Sequence, residues 1–110
     1  MSKAFKIVLK EAGFDVMTAF DGQEAIEKVY SFKPDLILLD LIMPIKSGEE
    51  VLAEIKRDEE LKHIPILVST VKSDMESIGR CVALGIRSYF IKAHYSLEDV
   101  VTEVKKVLEE

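Results

Sequence analysis

Three polar side chains follow or end apolar segments, and their types are those that phosphoryl transfer requires. Asp40 follows the run "LILL", Thr70 ends "IPILVST" and Lys92 follows "RSYFI". A carboxylate can attack phosphorus and form an acyl phosphate, while a hydroxyl and an ammonium can hold phosphoryl oxygens. A divalent ion such as Mg²⁺ would screen the two negative charges from each other. Taken singly, each residue has an ordinary alternative, since Asp40 and Thr70 can cap turns and Lys92 can be a solvated surface charge.

The apolar pattern divides the chain into alternating helices and strands that must position these groups. Helices are predicted over 5–12, after the caps Asp21 and Ser47, from the capping box "SDME" (73–76) to Gly85, and after Ser96. Strands are predicted at 14–19, 35–39, 64–70 and 87–91. The strict alternation predicts one α/β domain over residues 1–110, with a parallel sheet and helices on both faces. The carboxyl ends of parallel strands meet at one edge, so the three polar groups should converge there.

Composition excludes several classes of protein. Hydrophobic residues form 48% of the 110 residues, so a single core is expected. The net charge of −5 argues against nucleic acid or an anionic membrane as the main partner. The single cysteine, Cys81, excludes an internal disulfide and lies in an apolar helical pattern, as a buried thiol would. No signal peptide or membrane-spanning run is present, so a cytoplasmic location is expected.

Other kinds of site find little support in the sequence. No P-loop, GxGxxG or GxSxG motif occurs. His63 and His94 are far apart and lack cysteine or acidic neighbours at ligand spacing, so a zinc site is not expected.

These segments, in this order, resemble the receiver domain of response regulators, the phospho-accepting part of two-component signalling, in its stand-alone, chemotaxis-type form. "PDLILLDLIMPIKSG" is similar to the family's phosphoacceptor segment, with Asp40 before a Met-Pro pair and a glycine. "AGFDVMTAFDGQEAIE" resembles its second strand and following helix. "IPILVST" ends on the family's hydroxyl, Thr70, and "SYFIK" carries its aromatic, Tyr89, and its lysine, Lys92. The resemblance covers nearly the whole chain and implies a flavodoxin-like fold.

The resemblance also implies a role for each matched residue. Asp40 would be the phosphoacceptor and, with the backbone carbonyl of Ile42, a ligand of Mg²⁺. Thr70 would bind the phosphoryl group beside Lys92. Tyr89 would change rotamer together with Thr70 and so alter a surface where a downstream protein target docks. The donor would be a phosphohistidine on a histidine kinase or a phosphotransfer protein.

The sequence departs from the family's pattern at three places. Val71 follows Thr70 where a small residue is usual, which would crowd phosphate access. Ala93 follows Lys92 where the family has proline, so the usual cis peptide loses its main physical cause. The family also begins with a strand ending in an acidic pair that holds Mg²⁺, and this chain begins inside the following helix, N-terminally truncated relative to the family. We therefore expect weak or absent Mg²⁺ binding and slow or absent phosphorylation.

The missing first strand is internal to the family's sheet. Losing about five buried residues would remove on the order of 10 kcal/mol, comparable to the roughly 5–15 kcal/mol that stabilise a whole domain. Three outcomes are open: strand 14–19 pairs directly with 35–39 to give four strands, copies complete each other as a homo-oligomer, or the sequence is an incomplete form of a longer product.

Three hypotheses for function follow. The main one is a phospho-accepting receiver, not an enzyme, that takes its phosphoryl group on Asp40. The alternative is a phosphorylation-independent interaction module on a receiver scaffold, which an unchanged partner affinity in Asp40→Asn would favour. A phosphohydrolase would also use Asp40 but needs a second acid as proton donor, and none is evident at a strand end.

Overall fold

The structure is a computed structural model that describes residues 21–42 and 45–109, and these residues alternate between helices and parallel strands. The elements in chain order are α1 (Gly22–Phe32), β1 (Ile37–Leu39), α2 (Gly48–Arg57), β2 (Ile66–Thr70), α3 (Met75–Leu84), β3 (Ser88–Ile91) and α4 (Leu97–Leu108). This order confirms the predicted alternation over the part of the chain that is described.

The three strands form one parallel sheet in the order β1-β2-β3. Leu39 of β1 lies opposite Val68, and Thr70 lies opposite Ile91 of β3. The central strand β2 is buried along its whole length, because it has a neighbour on each side and helices on both faces. All three strands therefore end at the same edge of the sheet.

The core lies in two layers, one on each face of the sheet. Side chains of successive residues in a strand point to opposite faces, and β2 accordingly sends Ile66 and Val68 to one cluster and Leu67 to the other. Helices α1, α2 and α3 contribute apolar side chains to the first cluster. Helix α4 covers the opposite face with four valines, at positions 100, 101, 104 and 107. The predicted coverage of both faces is confirmed.

Each helix begins at a polar side chain that satisfies a free backbone N–H. Asp21 accepts from the N–H of Glu24 at 2.8 Å, as predicted for this cap. Ser47 caps α2, and Ser96 forms a reciprocal capping box at the start of α4. These caps fix where each helix starts, and therefore the loops that come before it.

One local prediction for α3 is wrong. The capping box expected at 73–76 does not form, because Asp74 is the cap and accepts from the N–H of Ser77 at 3.0 Å. Cys81 is fully enclosed, as predicted for a buried thiol, but Met75 is 78% exposed and Val82 is 61% exposed. The helix thus touches the core through one narrow stripe.

Other predictions concern residues beyond those described. The helix predicted at 5–12 and the strand predicted at 14–19 lie outside the described residues, so the four-stranded sheet stays a prediction, as does the homo-oligomer. Within residues 21–42 and 45–109, no helix is long and apolar enough to cross a membrane.

Candidate functional site

The three polar groups predicted to converge lie together at the carboxyl edge of the sheet. Asp40 follows β1 directly, Thr70 is the last residue of β2, and Lys92 follows β3 directly. The backbone N–H of Lys92 donates to the carbonyl of Thr70 at 2.8 Å, which extends the β2–β3 ladder by one bond. This bond sets the lysine side chain beside the strand end that carries the hydroxyl.

Both carboxylate oxygens of Asp40 have donors. The ammonium Nζ of Lys92 lies 2.8 Å from Oδ2, and the backbone N–H of Ile42 donates to Oδ1 at 3.0 Å. The Asp40 side chain is 20% exposed and that of Lys92 is 43% exposed, so the pair can be reached from solvent. The hydroxyl of Thr70, a fully buried residue, lies near the same carboxylate and contributes to lowering its pKa.

The surroundings of Asp40 keep its carboxyl group ionised at neutral pH. Partial burial alone would raise its pKa, because desolvation disfavours a charge. The hydrogen bond from Lys92, the N–H of Ile42, the lysine charge and the hydroxyl of Thr70 outweigh that effect, so the pKa is lowered from its ordinary value. Asp40 is therefore a carboxylate with a partly open face, as a nucleophile must be.

Two glycines pack against the loop between β1 and α2, which begins at Asp40 and which we call the acceptor loop. A Cβ on Gly48 would lie 2.2 Å from the carbonyl oxygen of Asp40 and 2.5 Å from the Cα of Leu41. A Cβ on Gly22, at the start of α1, would lie 1.8 Å from the carbonyl oxygen of Lys46. Helices α1 and α2 thus approach the acceptor loop more closely than any side chain would permit.

The loop between β1 and α2 also contains a strained residue. Ile45 has a φ of 69°, in the left-handed region that β-branched residues rarely adopt, and its side chain is 83% exposed. The side chain of Lys46 next to it is half-buried and reaches Glu54 of α2 at 3.3 Å.

Tyr89 lies inside the sheet layer and contacts the loop that follows β2. Its ring packs against the first core cluster, and its hydroxyl donates to the carbonyl of Lys72 at 2.9 Å. Burial raises the pKa of this phenol, so the hydroxyl keeps its proton and remains a donor. The N–H of Lys72 lies 3.4 Å from the hydroxyl oxygen of Thr70.

The structure brings together three of the predicted residues, Asp40, Thr70 and Lys92. Tyr89 contacts the backbone of Lys72, a residue that the sequence did not single out. Its backbone contacts both Thr70 and Tyr89, and no residue type signals such a backbone role. Gly22 was also missed, although a glycine in the first turn of a helix, where no turn requires it, is a signal of close backbone approach. Val71 is 63% exposed, and whether it crowds phosphate access stays a prediction.

The described residues provide only part of a metal site. They contain no group of three or more His, Cys, Asp or Glu side chains placed to hold an ion. Asp40 brings one carboxylate to this edge, and Ile42 lies in the exposed loop beside it. Mg²⁺ binds with octahedral geometry through carboxylates, carbonyls, phosphate oxygens and several waters. One carboxylate is a poor fit to a resident Mg²⁺ site.

The chain is similar to known proteins over almost its whole length. The sequence profile of the response regulator receiver domain matches residues 1–105. Hybrid signal transduction histidine kinase D of Dictyostelium discoideum is 39% identical over 93 residues. That match covers 84% of this chain but 6% of the kinase, so the chain spans a small part of this relative's length.

Solved structures share the fold. The phosphorylated cyanobacterial phytochrome response regulator RcpA superimposes with a TM-score of 0.75 at 36% identity, covering 97% of this chain and 85% of that one. The Mn²⁺-bound form of response regulator Rcp1 gives a TM-score of 0.75 at 31% identity, covering 96% and 85%. These likenesses confirm the predicted flavodoxin-like α/β class.

Proposed function

This chain belongs to the response regulator receiver domain family of two-component signalling, and from that premise we propose that it accepts a phosphoryl group on Asp40. The observation that supports this most directly is the ionised carboxylate with Lys92 at 2.8 Å and the hydroxyl of Thr70 beside it. A carboxylate, a cation and a hydroxyl at one open edge are what an acyl phosphate needs for its formation and for its stabilisation.

The proposed donor is a phosphohistidine on a histidine kinase or phosphotransfer protein. An oxygen of Asp40 forms the new P–O bond while the P–N bond of the donor breaks. The electron pair of the broken bond stays on the imidazole nitrogen, and the ring leaves as neutral imidazole because the other ring nitrogen keeps its proton. Lys92 and Thr70 then hold the phosphoryl oxygens. The chain is a phosphate acceptor in this scheme and turns over no further substrate, so we do not propose an enzyme.

We propose that phosphorylation of Asp40 changes the partner-binding surface through Thr70 and Tyr89. A phosphoryl oxygen that draws the Thr70 hydroxyl toward Asp40 weakens its contact with the N–H of Lys72. Tyr89 donates to the carbonyl of that same Lys72, so both residues depend on one short loop. A charge event at the site thereby changes the surface offered to a downstream protein target.

Mg²⁺ is the metal that receiver domains typically bind, and Rcp1, one of the similar structures, is a Mn²⁺-bound form. Because the described residues place one carboxylate at the edge, we propose that this 110-residue chain binds Mg²⁺ weakly and accepts phosphate slowly.

Incubation with a small acyl-phosphate donor, followed by intact-protein mass spectrometry, tests the proposal. We expect a slow gain of one phosphoryl group that Asp40→Asn abolishes. Asp35→Asn is the matched control, since it removes an exposed acid five residues earlier. The acceptor role is contradicted if mass gain is absent in the parent chain or survives in Asp40→Asn. The proposal that Mg²⁺ binds weakly is contradicted if mass gain is prompt and stoichiometric, depends on Mg²⁺ and already occurs at low Mg²⁺ concentrations.

A further inference from the structure

Among the described residues, Lys72 contacts the side-chain hydroxyls of both Thr70 and Tyr89 through its backbone. Its N–H points to the hydroxyl oxygen of Thr70 at 3.4 Å, and its carbonyl accepts the hydroxyl of Tyr89 at 2.9 Å. The 3.4 Å contact is at the long limit of a hydrogen bond, so it is weak and easily exchanged. The position of this backbone therefore decides how Thr70 and Tyr89 influence each other.

A carboxylate from another element forms a long ion pair with the side chain of the same residue. Glu49, in the first turn of α2, lies 3.8 Å from the ammonium of Lys72. Its two oxygens also take a two-pronged contact from Arg80 of α3, with Nε at 2.8 Å and Nη2 at 3.3 Å. The Glu49 side chain is 23% exposed, so water screens these charges less than on an open surface.

Arg80 also contacts its own helix, through the same nitrogen that reaches Glu49. Its Nη2 donates to the hydroxyl of Ser77 at 3.2 Å, and Ser77 is fully buried. Two charged contacts from Glu49 thus bracket residues 73–79, one before the segment and one after it. The loop that carries the Lys72 backbone and the start of α3 are both tied to α2, whose Gly48 packs directly on Asp40.

We propose that Glu49 is a positioning residue that sets the balance of the Thr70–Tyr89 pair by holding the Lys72 backbone. This inference rests on the proposed function for its meaning, but its central claim is about Tyr89 in the unmodified chain. When the Glu49 carboxylate is present, the carbonyl of Lys72 stays hydrogen-bonded to the Tyr89 hydroxyl. When the charge is removed, the loop relaxes and the hydrogen bond opens.

The readout is the ring of Tyr89 in protein labelled at tyrosine and observed by NMR. The chain has three tyrosines and no tryptophan, so the spectrum is simple, and Tyr89→Phe assigns the signal. The ratio of bonded to open Tyr89 should fall about two- to five-fold in Glu49→Gln, the coupling expected of a partly exposed ion pair. Lys72→Met should also lower the ratio of bonded to open Tyr89. Lys72→Arg should keep most of the parent ratio, because arginine retains the positive charge.

Glu54→Gln is the matched control. Glu54 lies on the same helix, has a similar side-chain exposure of 32% and pairs with Lys46 at 3.3 Å, away from the loop after β2. We expect no change in the Tyr89 signal in this variant. An effect that is equal in Glu49→Gln and Glu54→Gln, or absent from both, overturns the proposal. If Glu49→Gln does not fold, Lys72→Met and its arginine counterpart decide the question in the same way.

The same variants separate this inference from the acceptor role of Asp40. In the acyl-phosphate experiment, Glu49→Gln should change the rate of mass gain by a similar two- to five-fold factor. A chain that never gains mass refutes phosphate acceptance while the Tyr89 signal still tests Glu49. A chain that gains mass at Asp40 but shows no movement of Tyr89 in Glu49→Gln refutes only the positioning role.

Discussion

Among single residues, Gly48 shows most clearly how backbone contact shapes the site. Its N–H donates to the carbonyl of Leu41 at 3.0 Å, and its Cα faces the backbone of Asp40 with no room for a Cβ. The neighbours in this contact are backbone atoms, which cannot turn aside as the end of a flexible side chain can. The close packing of the acceptor loop against the start of α2 is therefore possible only because residue 48 has no Cβ.

We predict that Gly48→Ala lowers the free energy of unfolding by about 1–3 kcal/mol, the usual cost of forcing a group into a packed site. Gly79→Ala is the control, because a Cβ there meets nothing within 4 Å and α3 gains a better helix former. That variant should be more stable by roughly 0.5–1 kcal/mol. Chemical denaturation measures both, and equal effects of the same sign would contradict the close contact at Gly48.

The side chains proposed to function in this site divide into those that residue type reveals and those that it does not. The convergence of Asp40, Thr70 and Lys92 was predictable, because each ends or directly follows a strand of a parallel sheet and topology alone brings such ends together. Glu49 and Lys72 were not, because their contribution depends on the path of a loop and on the angle between two helices. Neither quantity leaves a pattern in one sequence.

On the scale of elements, the sequence predicted which segments are helices and strands better than where they begin. Strand β1 covers Ile37–Leu39 and not the whole of 35–39, since its pairing with β2 is limited to three residues. The start of α3 was misplaced because serine and aspartate are both good caps and stand next to each other at 73 and 74. The structure selects Asp74 through its contact with the N–H of Ser77.

The choice of cap can be tested directly. Asp74→Ala should reduce the free energy of unfolding by about 1 kcal/mol, the typical cost of losing an N-cap. Ser73→Ala removes the neighbouring candidate, an exposed side chain, and should change stability by less than about 0.5 kcal/mol. Thermal or urea unfolding compares the two variants. The reverse ranking would show that the predicted capping box at 73–76 is the true start of the helix.

For the molecule as a whole, carboxylates that gain partners on folding should control the response to acid. The pKa of Asp58 is lowered first by the backbone N–H of Glu60, and that of Asp74 first by the N–H of Ser77. The pKa of Asp40 is also lowered, since Lys92 and its other donors outweigh burial. Below about pH 4 the unfolded chain then binds more protons than the folded one.

We therefore predict that stability is nearly constant from about pH 7 to pH 5 and falls as the pH drops below about 4. A variant with asparagine at 40, 58 and 74 should show a shallower loss in acid, because those three groups no longer titrate. Asp35→Asn should keep the steep loss. Urea unfolding at a series of pH values gives the slopes, and a parent chain that becomes more stable in acid would contradict the prediction.

The two glycines behind the acceptor loop have a consequence for how such a protein can diverge after gene duplication. The Asp40 side chain is 20% exposed, and its replacement would remove the proposed phosphate acceptor in one step. Gly22 and Gly48 allow no such exchange, because a Cβ at either one would meet backbone at 1.8 Å or 2.2 Å. In descendants that lack the proposed acceptor, this pair of glycines should outlast the aspartate and mark the common ancestry.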